Sequence, residues 1–132
     1  MSISELEAYV DFAGEKKYRA AQITAALIKG DSFAEMLQLP EKFRHKLMDE
    51  CTDTVASVNR HLKSSDGTQK LLFGFDDGEN VESVLMKYKY GNTVCISTQA
   101  GCRMGCRFCA STVNGFRRNL TSGEMLEQVI RT

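Results

Sequence analysis

No stretch of this 132-residue chain approaches the roughly 18 consecutive apolar residues that a membrane-spanning helix requires. The opening residues, MSISELEAYVDF, are amphipathic and acidic, where a secretory leader would be basic and then apolar. A membrane-embedded or exported chain is therefore set aside, and a cytoplasmic one with reduced thiols is expected. Net charge is lacking as well: 17 Lys and Arg balance 17 Asp and Glu, so the total argues for no anionic partner. Histidine is scarce, with only His45 and His61. The cysteines number five, an odd count, and three of them crowd one short stretch. That distribution disfavours a disulfide framework and points to metal or catalytic chemistry. What is present is ordinary for a globular chain, 42% hydrophobic and 26% charged, enough for one domain or a small domain with part of another.

Acidic residues are also missing locally. None occurs between Glu82 and Glu124, and the same span carries Lys87, Lys89, Arg103, Arg107, Arg117 and Arg118. The neutral total hides a basic block that would attract an anionic partner, although a solvated basic surface explains the charges equally well.

Three regions differ in pattern. Residues 1–50 are predicted to be a helical accessory domain. Ser2 with Glu5, and Ser32 with Glu35, have the S-x-x-E spacing of capping boxes. The segment YRAAQITAALIKG offers Ala21, Ile23, Ala25, Leu27 and Ile28 for burial, with Gly30 as a stop. Pro40 suits the first turn of a helix over EKFRHKLMDE. Lys16, Lys17 and Arg19 read as a solvated helix end. Residues 51–92 are predicted to be a small, mostly antiparallel sheet. TVASVNRHL alternates, KLLFGF is apolar, and VESVLMKYKY precedes a Gly91–Asn92 turn and TVCIST. Residues 93–132 run from that strand through the cysteine stretch into TSGEMLEQVIRT, a helix with Thr121 and Glu124 as its box. The chain stops inside this helix without a closing signal. It therefore reads as a piece of a longer protein, ending in the first unit of a βα series.

The stretch QAGCRMGCRFCAST places Cys102, Cys106 and Cys109 in a C-x3-C-x2-C spacing. A structural zinc site would want four ligands, and a four-iron cluster one ligand per iron. Three thiolates on a cluster leave one iron open for a substrate, and the compact spacing lets one loop wrap it. Gly101 and Gly105 would let the backbone pass close, and Phe108 could shield the cluster from water. The competing reading is a zinc-binding structural domain that adds His45 or His61, but neither has zinc-knuckle spacing.

The spacing, with an aromatic residue before its last cysteine, resembles the radical S-adenosylmethionine (SAM) superfamily. VESVLM, CISTQAGCRMGCRFCAST and NGFRRNL together resemble the adenine carbon-2 RNA methyltransferases, which modify 23S ribosomal RNA and transfer RNA. YRAAQI and LPEKFRHKL resemble the N-terminal accessory domain of the same family, so the likeness covers nearly the whole chain. It departs in the linker KYKYGN, where relatives often carry a proline.

The resemblance implies an α+β N-terminal part leading into a partial α/β barrel. It implies a [4Fe-4S] cluster on Cys102, Cys106 and Cys109, with SAM chelated at the open iron and an electron-donor protein to reduce the cluster. It implies methylation through a methylated cysteine near the C-terminus of the full protein, resolved by a transient disulfide. That cysteine is not in this sequence, so the chain alone is expected to be inactive. Cys95 falls where the family has its resolving cysteine, and Glu82 where it has its proposed proton acceptor. Without the resemblance, Cys95 reads as a small buried hydrophobe and Glu82 as a solvent-facing strand carboxylate. Cys51 matches no family motif and is assigned to packing. The alternative from another class is a non-catalytic RNA-binding module.

Overall fold

The structure is a computed structural model and describes residues 3–132. Ser2, and with it the first capping box, lies outside the described residues. The chain divides into two compact units, Met1–Thr54 and Val55–Thr132.

The first unit contains α1 (Ile3–Phe12), α2 (Tyr18–Lys29), a 3-10 turn (Phe33–Glu35) and α3 (Glu41–Glu50). Each helix buries residues three or four apart: Leu6 and Val10, then Ala20, Ile23 and Ala26, then Phe43 and Leu47. This is the stripe that a 3.6-residue repeat produces. With Phe33, Met36 and Leu39 they form one core. On α2 the expected burial of Ala21, Ala25 and Ile28 does not occur, and all three are exposed. They form the neighbouring stripe, about 100° round the helix, and only the position of the packing partners chooses between the two. Gly30 ends α2 in the left-handed conformation, and Asp31 N–H returns to Ala26 O at 3.1 Å. The Ser32–Glu35 box exists, but it closes one 3-10 turn rather than opening an α-helix.

The second unit is built on a four-stranded antiparallel sheet in the order β1 (Ser57–Lys63), β2 (Gln69–Gly74), β3 (Asn80–Tyr88), β4 (Gly91–Cys95). A short pair, β5 (Gln99–Ala100) and β6 (Arg118–Asn119), precedes α4 (Ser122–Arg131). β1 buries nothing fully, contrary to its alternating sequence, because it is an edge strand with a register break between Val58 and Arg60. The β3–β4 turn is Lys89–Tyr90, not Gly91–Asn92. Gly91 instead pairs with Tyr88 as the first residue of β4, at φ +135°.

The two faces of β3 are sharply different. Val81, Ser83 and Leu85 are buried, whereas Glu82 is exposed and Val84 and Met86 are half-buried. Phe73, Leu71 and Phe75 join Val81, Ala56, Ala100 and Leu120 in the second core. The opposite face of the sheet carries Glu82, Val84, Met86 and Tyr88 on β3, with Cys95 directly across from Val84.

Candidate metal centre and the sheet face beside it

The loop holding Cys102, Cys106 and Cys109 is closed at its base by β5 and β6. Ala100 pairs with Arg118, Arg117 N–H reaches Ala100 O at 3.0 Å, and Leu120 N–H reaches Thr98 O at 2.9 Å. Within the loop, Cys109 N–H donates to Cys106 O at 3.1 Å. The Thr112 hydroxyl lies 2.9 Å from Cys106 O and 2.8 Å from Cys109 O. The backbone that carries the second and third cysteines is thus tied down locally. All three thiols are free and half-buried.

Gly101 is required where the loop begins. Its φ is +69°, and a Cβ there would lie 1.8 Å from Gly115 O. The close approach is backbone against backbone within the loop. Across the same crossing, the Arg103 guanidinium sits 3.8 Å from the Phe116 ring centroid. Phe108 does not cover the loop: it rides a turn and is 93% exposed.

Among the described residues, no three His, Cys, Asp or Glu side chains gather where a single metal ion could sit. A lone zinc ion needs all its ligands about 2.3 Å from one point. A four-iron cluster takes each thiolate on a different iron. The loop is free of carboxylates and imidazoles, so its donors are thiols alone, the donor type such a cluster takes. Of the histidines, His61 Nε2 is engaged with Gln69 Oε1 at 2.7 Å.

Cys95 is exposed at the end of β4. Its partner Val84 is two residues from Glu82, so Cys95 and Glu82 are diagonal neighbours on one face, about 7–8 Å apart. Glu82 is half-exposed and pairs with Lys70 Nζ at 3.0 Å. A pair so exposed contributes only about 0–1 kcal/mol and is readily exchanged for another contact. The segment between Cys95 and the loop is held by Ser97. Its hydroxyl donates to Glu82 O at 2.8 Å. Its N–H donates to Gln128 Oε1 at 2.9 Å, and its carbonyl accepts from Gln128 Nε2 at 3.0 Å. Gln128 on α4 is fully buried and acts like one more strand residue. The sequence reading missed it, because a glutamine in a helix carries no signal of such a clamp.

The basic block is divided by the fold. Arg118 donates to both Glu124 oxygens, at 2.9 and 2.7 Å, and to Asp77, and lies over the Phe75 ring. Arg117 pairs with Glu79 at 3.8 Å. The Arg118 hydrogen bonds, seconded by the Thr121 N–H, hold the Glu124 carboxyl below the usual carboxylate range. Asp77 is lowered in the same way, chiefly by Arg118. Lys87, Lys89, Arg103 and Arg107 remain exposed.

No family model matches the chain. Individual relatives do. The "Probable dual-specificity RNA methyltransferase RlmN" of Clostridium novyi (strain NT) is 44% identical over 133 residues, covering 98% of this chain and 39% of the relative. The protein of the same name from Clostridium acetobutylicum is 46% identical over 130 residues, covering 97% and 38%. Among solved structures, a radical SAM methyltransferase from Sphaerobacter thermophilus superposes with a TM-score of 0.92 at 38% identity, over 99% of this chain and 39% of that one. The chain thus spans about two fifths of the length of the relatives it matches.

Proposed function

The chain belongs to the RlmN family of RNA methyltransferases, and from that premise we propose that it is the part of such an enzyme that carries the cluster loop, the resolving thiol and the proton acceptor. The full protein's reaction is methylation of carbon 2 of an adenine in 23S ribosomal RNA and transfer RNA. The supporting observation is the juxtaposition in the second unit. Glu82 and Cys95 are diagonal neighbours on one sheet face, and the segment that leads from Cys95 to the three-cysteine loop is bonded to Glu82 O through the Ser97 hydroxyl.

Cys102, Cys106 and Cys109 hold a [4Fe-4S] cluster in this reading. Bound there, such a cluster would supply a chelation site for SAM and the electron for its cleavage. The chain's own residues do the rest of the work assigned here. Gly101, Thr112 and the Arg103–Phe116 contact fix the loop. Glu82 exchanges Lys70 for the substrate and accepts the carbon-2 proton. Cys95 forms the transient disulfide that releases methylated RNA. Residues 93–132 are the start of the partial barrel, residues 51–92 the small sheet before it, and residues 1–50 the accessory domain. The enzyme works in the cytoplasm with an electron-donor protein. The five cysteines include no methyl-carrying one, since three bind the cluster, Cys95 resolves, and Cys51 packs against the first core.

Anaerobic purification followed by iron and sulfide analysis tests the reading. About four irons and four sulfides per chain are expected, with broad visible absorption that any single Cys→Ala change in the loop abolishes. Stoichiometric zinc without sulfide would overturn it.

A further inference from the structure

The tip of the β3–β4 hairpin is unlike the rest of the sheet. Tyr88 and Tyr90 stack on each other, with ring centroids 5.0 Å apart and planes within 10°. Tyr90 is 82% exposed and Tyr88 48%. Exposed Lys87 and Lys89 flank them, and the acid-free span from 83 to 123 surrounds all four. The pair is not part of either hydrophobic core. Two large rings held parallel, one at the end of β3 and one on the turn that follows, lose little freedom when a third ring is added. The outer face of Tyr90 is open to receive one.

The tip is also aligned with the reaction residues. Tyr88 lies on the same face of β3 as Glu82, and its hydroxyl reaches Met86 Sδ on that face at 3.5 Å. Cys95 is four residues along β4 from Gly91, so the tip stands about 13 Å from it. The cysteine loop leaves from the opposite end of the same strands, because Ser97 bonds back to Glu82 O before β5 begins. Along the strands the order is therefore the tyrosine pair, then Cys95 and Glu82, then the segment that leads into the cysteine loop. About 13 Å is the reach of two or three nucleotides of an extended strand.

We propose that Tyr90, backed by Tyr88, is a stacking platform for a base two or three nucleotides from the target adenine. Lys89, in the same turn as Tyr90, holds an adjoining phosphate. The proposal rests on the RNA reading above. It commits to single-stranded RNA, since bases inside a duplex have no free face to stack.

The test uses the 132-residue chain, a fluorescein-labelled ten-nucleotide single-stranded RNA, and a hairpin RNA of equal charge. Tyr90→Ala should weaken binding of the single strand about 5- to 100-fold, while Tyr90→Phe stays within about twofold. Lys89→Gln should flatten the salt dependence of binding by about one phosphate contact. The chain has no tryptophan, so its four tyrosines report directly. RNA should quench tyrosine emission in the wild type but not in Tyr88→Phe/Tyr90→Phe, which keeps only Tyr9 and Tyr18. Circular dichroism should be unchanged in every variant. If the wild type binds RNA and Tyr90→Ala binds it equally, the tip is not the contact and the proposal fails while the RNA reading stands. If the wild type binds neither RNA, both fail.

Discussion

Single residues at two points control whether the site can exist. At Gly101, a methyl group would meet Gly115 O at 1.8 Å and would have to adopt φ +69°. Both faults fall on backbone that cannot step aside, so Gly101→Ala should displace the start of the loop. Iron content is expected to fall to a small fraction of the wild type while far-ultraviolet circular dichroism keeps its sheet signal. Full iron loading would show that the crossing is dispensable. Glu124 is the second point. Its carboxyl is held below its ordinary range, so it contributes stability above the unfolded carboxylate pKa of about 4.3, and that stability is lost as pH falls through the lower folded value. Glu124→Gln keeps an acceptor for the Thr121 cap but removes the charge facing Arg118. It should cost about 1–2 kcal/mol at pH 7. The urea midpoint of the variant should also fall less steeply than the wild type's below pH 4.5.

At the scale of elements, α4 and the sheet are joined through polar contacts. Glu124, Glu127 and Gln128 are buried on α4, while Leu126 and Val129 are half-exposed. The helix therefore uses its polar side to hold β6 through Arg118 and the post-β4 segment through Ser97. Gln128→Leu matches the volume but leaves the Ser97 N–H and carbonyl without partners. The expected loss is about 2–3 kcal/mol, measured as a shift in the denaturant midpoint of the second unit. A neutral outcome would mean that water replaces the amide.

At the scale of the whole molecule, each of the two units has its own core. Leu47 is fully buried in the first and absent from the second. Leu47→Ala should cost about 3–4 kcal/mol. Hydrogen exchange should show the lost protection in α1, α2 and α3, with β2 and β3 unchanged. Loss of protection in both units together would show that they fold as one.

The sequence by itself determined the features that depend on local chemistry. The C-x3-C-x2-C loop, the Thr121–Glu124 cap, the Gly30 stop and the alternation of Val81, Ser83 and Leu85 follow from spacing, dihedral preference and a two-residue repeat, none of which needs a distant partner. Tertiary structure decided which of two adjacent stripes of α2 is buried, why β1 stays exposed, and where the β3–β4 turn falls. It also decided the fate of charge. Arg117 and Arg118 look like their neighbours in the sequence, but Asp77 and Glu79, some forty residues away, neutralise them. The Gln128 clamp and the approach of Gly101 to Gly115 belong to the same class. Each is a contact between segments far apart in the chain or meeting across a loop, and its energy depends on a distance that no local pattern encodes.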